Sequence, residues 1–173
     1  SSEKELTSAL HGPLKLTTDE VTLKGVSVEK LLCQAVALSN KEQLTAAFAA
    51  DTRFTNVAAD IQVADGKAAF KPLHANLAQV ALSGDGNYDL PQKKFDVALK
   101  ARLSPELEQL DHACRVSKRL TAIDLPVHCA GSVTAEPSKW CRVDAAQILQ
   151  DMTVNEGLEK LEKMLQRAVD DGG

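Results

Sequence analysis

Apolar residues recur at alternate positions along much of the chain. The pattern is cleanest at Phe95, Val97, Leu99, Ala101 and Leu103, with Lys94, Asp96, Lys100 and Arg102 on the other phase. A period of two puts one set on the core side of a strand and the other in water. Val57, Ala59, Ile61 and Val63 alternate in the same way with Ala58, Asp60, Gln62 and Ala64. Asp65-Gly66 follows, a dipeptide suited to the positive φ angles of a tight hairpin turn. The return arm then runs from Lys67 to about Ser83. Its phase is interrupted near Pro72, which suits an edge strand or a bulge, and Gly84-Asp85-Gly86 breaks the run. Leu125, Val127, Cys129, Gly131 and Val133 mark a further strand, ended by Pro137. Near the start, Leu14, Leu16, Val21 and Leu23 predict the two arms of a hairpin, with Thr17 to Glu20 as its polar turn.

Helical spacing enters at three places. Val28, Leu31, Leu32, Ala35 and Leu38 form one apolar face of an early helix that carries Cys33 and is capped by Ser27. Ser104-Pro105 opens a short helix or turn ending near Asp111. Asp144 can cap a segment through Leu149, after which Leu158, Leu161, Leu165 and Val169 give an apolar stripe. That stripe predicts a helix docked on the domain's own core. A membrane-surface helix is disfavoured, because Glu156, Glu159, Glu162, Asp170 and Asp171 outnumber Lys160, Lys163 and Arg167, whereas anionic lipid favours a basic polar face. Asn40 to Ala50 fits helix or strand equally well.

Strand, hairpin, strand, with an early helix and C-terminal helices, is an α+β pattern dominated by antiparallel sheet. The 173 residues suit one domain, and no boundary divides them. Hydrophobic residues make up 44% and aromatic ones 3%, so the core is filled by Leu, Val and Ala. A net charge of -4 with scattered Lys and Arg gives no footprint for nucleic acid. No stretch approaches the ~18 consecutive apolar residues of a membrane span. The chain starts on Ser without a charged-then-apolar leader, so it reads as a mature form or a piece of something longer.

Candidate chemistry is sparse. Gly84-Asp85-Gly86 lacks the third Gly, the following helix and the Lys of a phosphate loop, and reads as a turn. His112, Cys114, His128 and Cys129 are of zinc-ligand type. However, His128 and Cys129 are neighbours in a strand, so their side chains face opposite sides. A Cys–His nucleophilic pair from Cys114 and His112, or from Cys129 and His74, lacks an orienting third group. No catalytic residue and no cofactor is assigned. The four cysteines fit two disulfides or four buried thiols. A bridge Cys114–Cys129 would leave Cys33–Cys141 by elimination, with two other connectivities open.

Several segments occur in a telling order. They are Gly25-Val26-Ser27-Val28-Glu29-Lys30-Leu31-Leu32, Thr52-Arg53-Phe54-Thr55-Asn56-Val57, Val63-Ala64-Asp65-Gly66-Lys67-Ala68, Leu82-Ser83-Gly84-Asp85-Gly86-Asn87-Tyr88-Asp89-Leu90, Lys94-Phe95-Asp96-Val97-Ala98-Leu99, and Leu125-Pro126-Val127-His128-Cys129-Ala130-Gly131-Ser132-Val133. Their order and spacing resemble the C-terminal region of AsmA-family proteins of Gram-negative bacteria, over about residues 10–165. The resemblance implies a periplasmic domain of a protein anchored in the inner membrane, linked to outer-membrane biogenesis. It also implies a long curved sheet that holds acyl chains in an apolar groove, disulfides made in an oxidising compartment, and phospholipid or envelope proteins as partners. The inward strand positions Val57, Ile61, Phe95, Val97, Leu99, Leu103, Leu125 and Val127 are compatible with lining such a groove, and equally with packing under the two helices. The competing expectation is a structural cap or protein-interaction module without direct lipid contact.

Overall fold

The computed structural model describes residues 11–77, 80–144 and 161–169. Seven strands form one antiparallel meander in chain order: β1 (Gly12–Leu23), β2 (Thr52–Ala64), β3 (Lys67–Leu77), β4 (Val80–Asp89), β5 (Lys94–Leu103), β6 (Asp124–Ser132) and β7 (Cys141–Val143). The sheet is curved and open. Helix α1 (Val28–Ser39) lies across one end of one face. Between β5 and β6 run two 3-10 turns, Pro105–Gln109 and His112–Cys114, and the short α2 (Lys118–Thr121). A further helix, α3, covers 161–169. The α+β class with a dominant antiparallel sheet is therefore the observed one.

Several local signals have a visible counterpart. Ser27 caps α1 by accepting from the Lys30 N–H at 3.3 Å. Ser104 caps the first 3-10 turn in the same way. Asp65 (φ 53°) and Gly66 (φ 77°) both take the left-handed conformation that a two-residue hairpin turn requires. Inward residues Ala101 and Leu103 are buried, whereas Lys94, Asp96, Lys100 and Arg102 are not.

Other expectations are corrected. Leu14 to Leu23 is not a hairpin but one continuous strand, paired with β2 along its whole length. The apparent turn at Thr17–Glu20 is a change of face. Asn56, in the left-handed region at φ 50°, lies opposite Asp19 and moves β2 from Phe54-inward to Val57-inward, and β1 follows it. The single return arm is two strands, β3 and β4. Leu77 at the end of β3 pairs with Val80 at the start of β4, and 78–79 lie outside the described residues. The interruption near Pro72 is a bulge inside the sheet, where the β3–β4 register slips between Phe70 and Leu73. Gly84-Asp85-Gly86 is not a break but the middle of β4. Residues 40–50 are neither helix nor strand.

Gly84 has a packing reason. A Cβ there would overlap the Ala98 carbonyl oxygen and press on the Leu99 Cα of the adjacent strand. Backbone cannot step aside as a flexible side chain can. Gly84→Ala is accordingly expected to cost about 1–3 kcal/mol in urea unfolding, despite removing a β-unfavourable glycine.

The main core lies between α1 and the inner face. Leu32, Val36, Leu77, Leu82, Leu103, Leu125 and Val127 are buried there together. Cys33, Val36 and Ala37 are buried as well, while Leu38 is 55% exposed. The buried arc of α1 is thus wider than the expected face and rotated from it. The reason is that the helix is covered on two sides, by the sheet and by the His112–Cys114 turn.

Two buried polar groups hold this arrangement. Thr52 Oγ1 donates to the Val26 carbonyl at 2.6 Å and accepts from the Val28 N–H at 2.9 Å, fixing the start of α1 to β2. Asp111 accepts from the backbone N–H groups of Ala46, Thr45 and Ala113 at 2.7 to 2.9 Å. The bond from Ala46, followed by those from Ala113 and Thr45, holds its carboxyl below the ordinary value of 3.8. Because the folded value is the lower one, the stabilisation is present above the unfolded value and is lost as pH falls through the folded value. Thermal melts from about pH 3 to pH 6 should therefore show acid destabilisation in the native chain that Asp111→Asn flattens.

Candidate functional site

The register builds three rows across the inner face of the sheet. One runs Leu14, Ile61, Phe70, Gly86, Val97 and Cys129 across β1 to β6, each paired with the next. A second runs Leu16, Ala59, Leu73, Gly84, Leu99 and Val127. The third runs Gly12, Val63, Ala68, Tyr88, Phe95 and Gly131. No charged residue occurs in any of them. Cross-strand pairing on one face brings such side chains within contact range.

These rows are covered unevenly. Leu99 and Val127 pack with the core beneath α1. Ala59, Val63 and Ala68 are buried at the base of the remaining surface, outside that core. Ile61, Phe70, Leu73, Tyr88, Phe95 and Val97 are half-buried. Leu14 and Leu16, on the edge strand, are 59% and 41% exposed. The far half of the inner face is therefore an apolar surface with no helix over it among the described residues.

All eight groove residues expected from the sequence lie on this face, but the structure divides them. Val57, Ile61, Phe95 and Val97 belong to the part beyond α1, and Leu99 stands at the boundary. Leu103, Leu125 and Val127 are core residues under α1, at most 4% exposed, and do not line an open surface. Alternation assigns the face correctly and is blind to where a helix crosses it. The sequence pattern does not place Leu14, Leu16, Phe70 and Leu73 on this face: the first two read as hairpin arms, and the others sit beside the Pro72 bulge where the period fails.

Trp140 closes the row that ends at Gly131. Its ring meets Phe95 edge-on, with centroids 5.1 Å apart. Its indole Nε1 is buried without a hydrogen-bond partner among the described residues.

The His and Cys residues are separated. Cys33 is bonded to Cys114, and Cys129 to Cys141. The expected pairs Cys114–Cys129 and Cys33–Cys141 are therefore corrected. Cys114 lies on the 3-10 turn packed against α1, opposite Cys33, with Cα atoms 5.0 Å apart. Cys129 directly faces Cys141 across the β6–β7 ladder, with Cα atoms 4.0 Å apart. The three-residue β7 carries no period of its own, so sequence separation alone misled the pairing. His128 sits on the outer face, 2.8 Å from Asp96, and His112 lies beside Glu108 at 3.2 Å. His74 on β3 is separated from Cys129 on β6 by two intervening strands, β4 and β5. No group of three or more His, Cys, Asp or Glu able to hold a metal ion occurs among the described residues.

Helix α3 is not docked on the core. Every residue from 161 to 169 is exposed, including Leu161, Met164, Leu165 and Val169. The expected segment from Asp144 to Leu149, and Leu158, lie outside the described residues apart from Asp144 itself. No helix among the described residues is long and apolar enough to cross a membrane. The two disulfides fit an oxidising, extracytoplasmic compartment.

No family model matches the chain, and neither the curated proteins nor the solved structures contain one that matches it.

Proposed function

We propose that this chain is a non-catalytic periplasmic domain of AsmA type that carries phospholipid acyl chains on the uncovered half of its inner sheet face. It thereby contributes to outer-membrane biogenesis as part of a protein anchored in the inner membrane. One observation carries the reading: the apolar rows continue past α1 as far as Leu14 and Leu16 on the edge strand, without a charge among them. Removing hydrocarbon from water drives acyl chains onto such a surface, and exposed contiguous apolar patches mark interaction sites. The order of sequence segments supports the AsmA resemblance, and the disulfides suit the periplasm.

A fluorescent phospholipid mixed with the purified domain is expected to bind with its acyl chains shielded. Val97→Asp should abolish the uptake, whereas Leu38→Asp, on the exposed side of α1, should leave it intact. Equal uptake by both variants would sink the reading.

A second reading rests on the edge strand. β1 is twelve residues long and pairs only with β2 among the described residues, and a free edge is a template for another chain. On that reading the domain is a structural cap or protein-interaction module of the envelope. A Pro substitution at Lys15 that blocks partner binding without changing lipid uptake would favour it.

A further inference from the structure

β1 is a long edge with an irregular pattern. It exposes Leu14, Leu16 and Val21, and among the described residues it pairs only with β2. The opposite edge is blunted, because β7 has only three residues. We propose that β1 pairs antiparallel with β1 of a second copy of this chain, about a two-fold axis between Thr18 and Asp19. The inference rests on the edge-strand reading and names its partner, and the lipid reading does not depend on it.

The phase of the strand singles out this occupant. Up to Thr18 the inward residues are even-numbered: Leu14, Leu16 and Thr18 pair with Ile61, Ala59 and Val57 of β2. Beyond Glu20 they are odd-numbered: Val21 and Leu23 pair with Phe54 and the buried Thr52. A regular strand keeps one phase along its length. Laid along β1, it matches inward with inward residues on one half only. On the other half its side chains and its backbone N–H and C=O groups point the wrong way. β1 run antiparallel to itself reverses phase in the same region, so both halves match at once.

Charge fixes the register. An axis between Asp19 and Glu20 would set these two carboxylates directly opposite each other, twice over, and like charges so placed are destabilising. With the axis between Thr18 and Asp19, Leu14 faces Leu23 of the second copy and Leu16 faces its Val21. Lys15 then faces Thr22 and stands diagonal to Glu20, within reach of a long side chain. Glu20 also holds Arg53 at 2.8 Å, yet its side chain stays 46% exposed. Pro13, which has no N–H to donate, falls just outside the paired stretch 14–23. The two-fold axis repeats each contact, and the two inner faces join into one.

The test uses the full chain. Its mass is measured by sedimentation equilibrium at about 100 μM, a concentration that populates even a weak dimer. The sample is then treated with a carbodiimide, which joins an amine directly to a neighbouring carboxylate. Self-pairing predicts twice the mass of the chain and a Lys15–Glu20 amide in the crosslinked dimer, located by peptide mass spectrometry. Within one copy these residues stand about 17 Å apart along the strand, so the amide forms only between copies. Leu16→Lys, at an exposed position that spares the core, should weaken dimerisation about tenfold, since it enters the interface twice. Leu38→Lys, on the exposed side of α1, should leave it unchanged. A dimer that lacks the amide, or that Leu16→Lys leaves intact, overturns the inference. A monomer that binds an envelope protein through β1, with binding lost in Leu16→Lys, overturns self-pairing and leaves the edge-strand reading standing. A monomer without such binding sinks both.

Discussion

Replacing Cys33 and Cys114 together by alanine is expected to lower the unfolding free energy by about 4 kcal/mol. The bridge spans 81 residues of sequence, so in the chain-entropy account its removal releases a long loop in the unfolded state. It also has a structural task. It fixes the second side of α1 to the turn that follows β5, and Asn40 continues the tie by donating to the Ala113 and Arg115 carbonyls at 3.0 and 2.9 Å. The shorter Cys129–Cys141 bridge, spanning 12 residues, should cost about 3 kcal/mol when removed. Urea unfolding of the two double variants checks the order. If the 12-residue bridge proves the costlier, loop entropy does not govern their contributions.

Leu32→Ala is expected to cost about 2–5 kcal/mol. Leu32 is fully buried at the centre of the helix–sheet contact, and both of its neighbouring layers are held in place. The helix is capped at Ser27 and pinned by Thr52, while the strands below it belong to one continuous hydrogen-bonded sheet. Little can move in to fill the space, which places the cost toward the upper end of the range. Leu38→Ala, six residues further along the same helix, should change stability by less than about 0.5 kcal/mol, because that side chain is already in water. A small effect at both positions would mean that α1 does not seal the core.

These two residues show what was legible in the sequence. Apolar spacing identified α1 and its cap, yet it counted Leu32 and Leu38 alike. Only the second covering layer, supplied by a disulfide across 81 residues, rotates the buried arc toward Cys33 and Val36. The strands at Val57–Val63 and Phe95–Leu103 were plain because one face is buried and the other wet. The hairpin misread at Leu14–Leu23 has a definite cause. A change of inward phase looks the same in one strand whether it comes from a turn or from Asn56 in the strand opposite. Thr52 and Asp111, the buried polar anchors, left no periodic signal at all, since their partners are backbone groups of distant segments. The apolar face was legible, but which half of it stays open was decided by where α1 lands.

Trp140 is the one tryptophan in the chain, and it packs on Phe95 at the end of an inner row. Its fluorescence is therefore a local reporter for the uncovered face. Phospholipid brominated along its acyl chains quenches indole on contact. The central claim predicts that adding such lipid to the purified domain quenches Trp140, that unbrominated lipid does not, and that Val97→Asp prevents the quenching. Unquenched Trp140 in the native domain, with brominated lipid in excess, would contradict it.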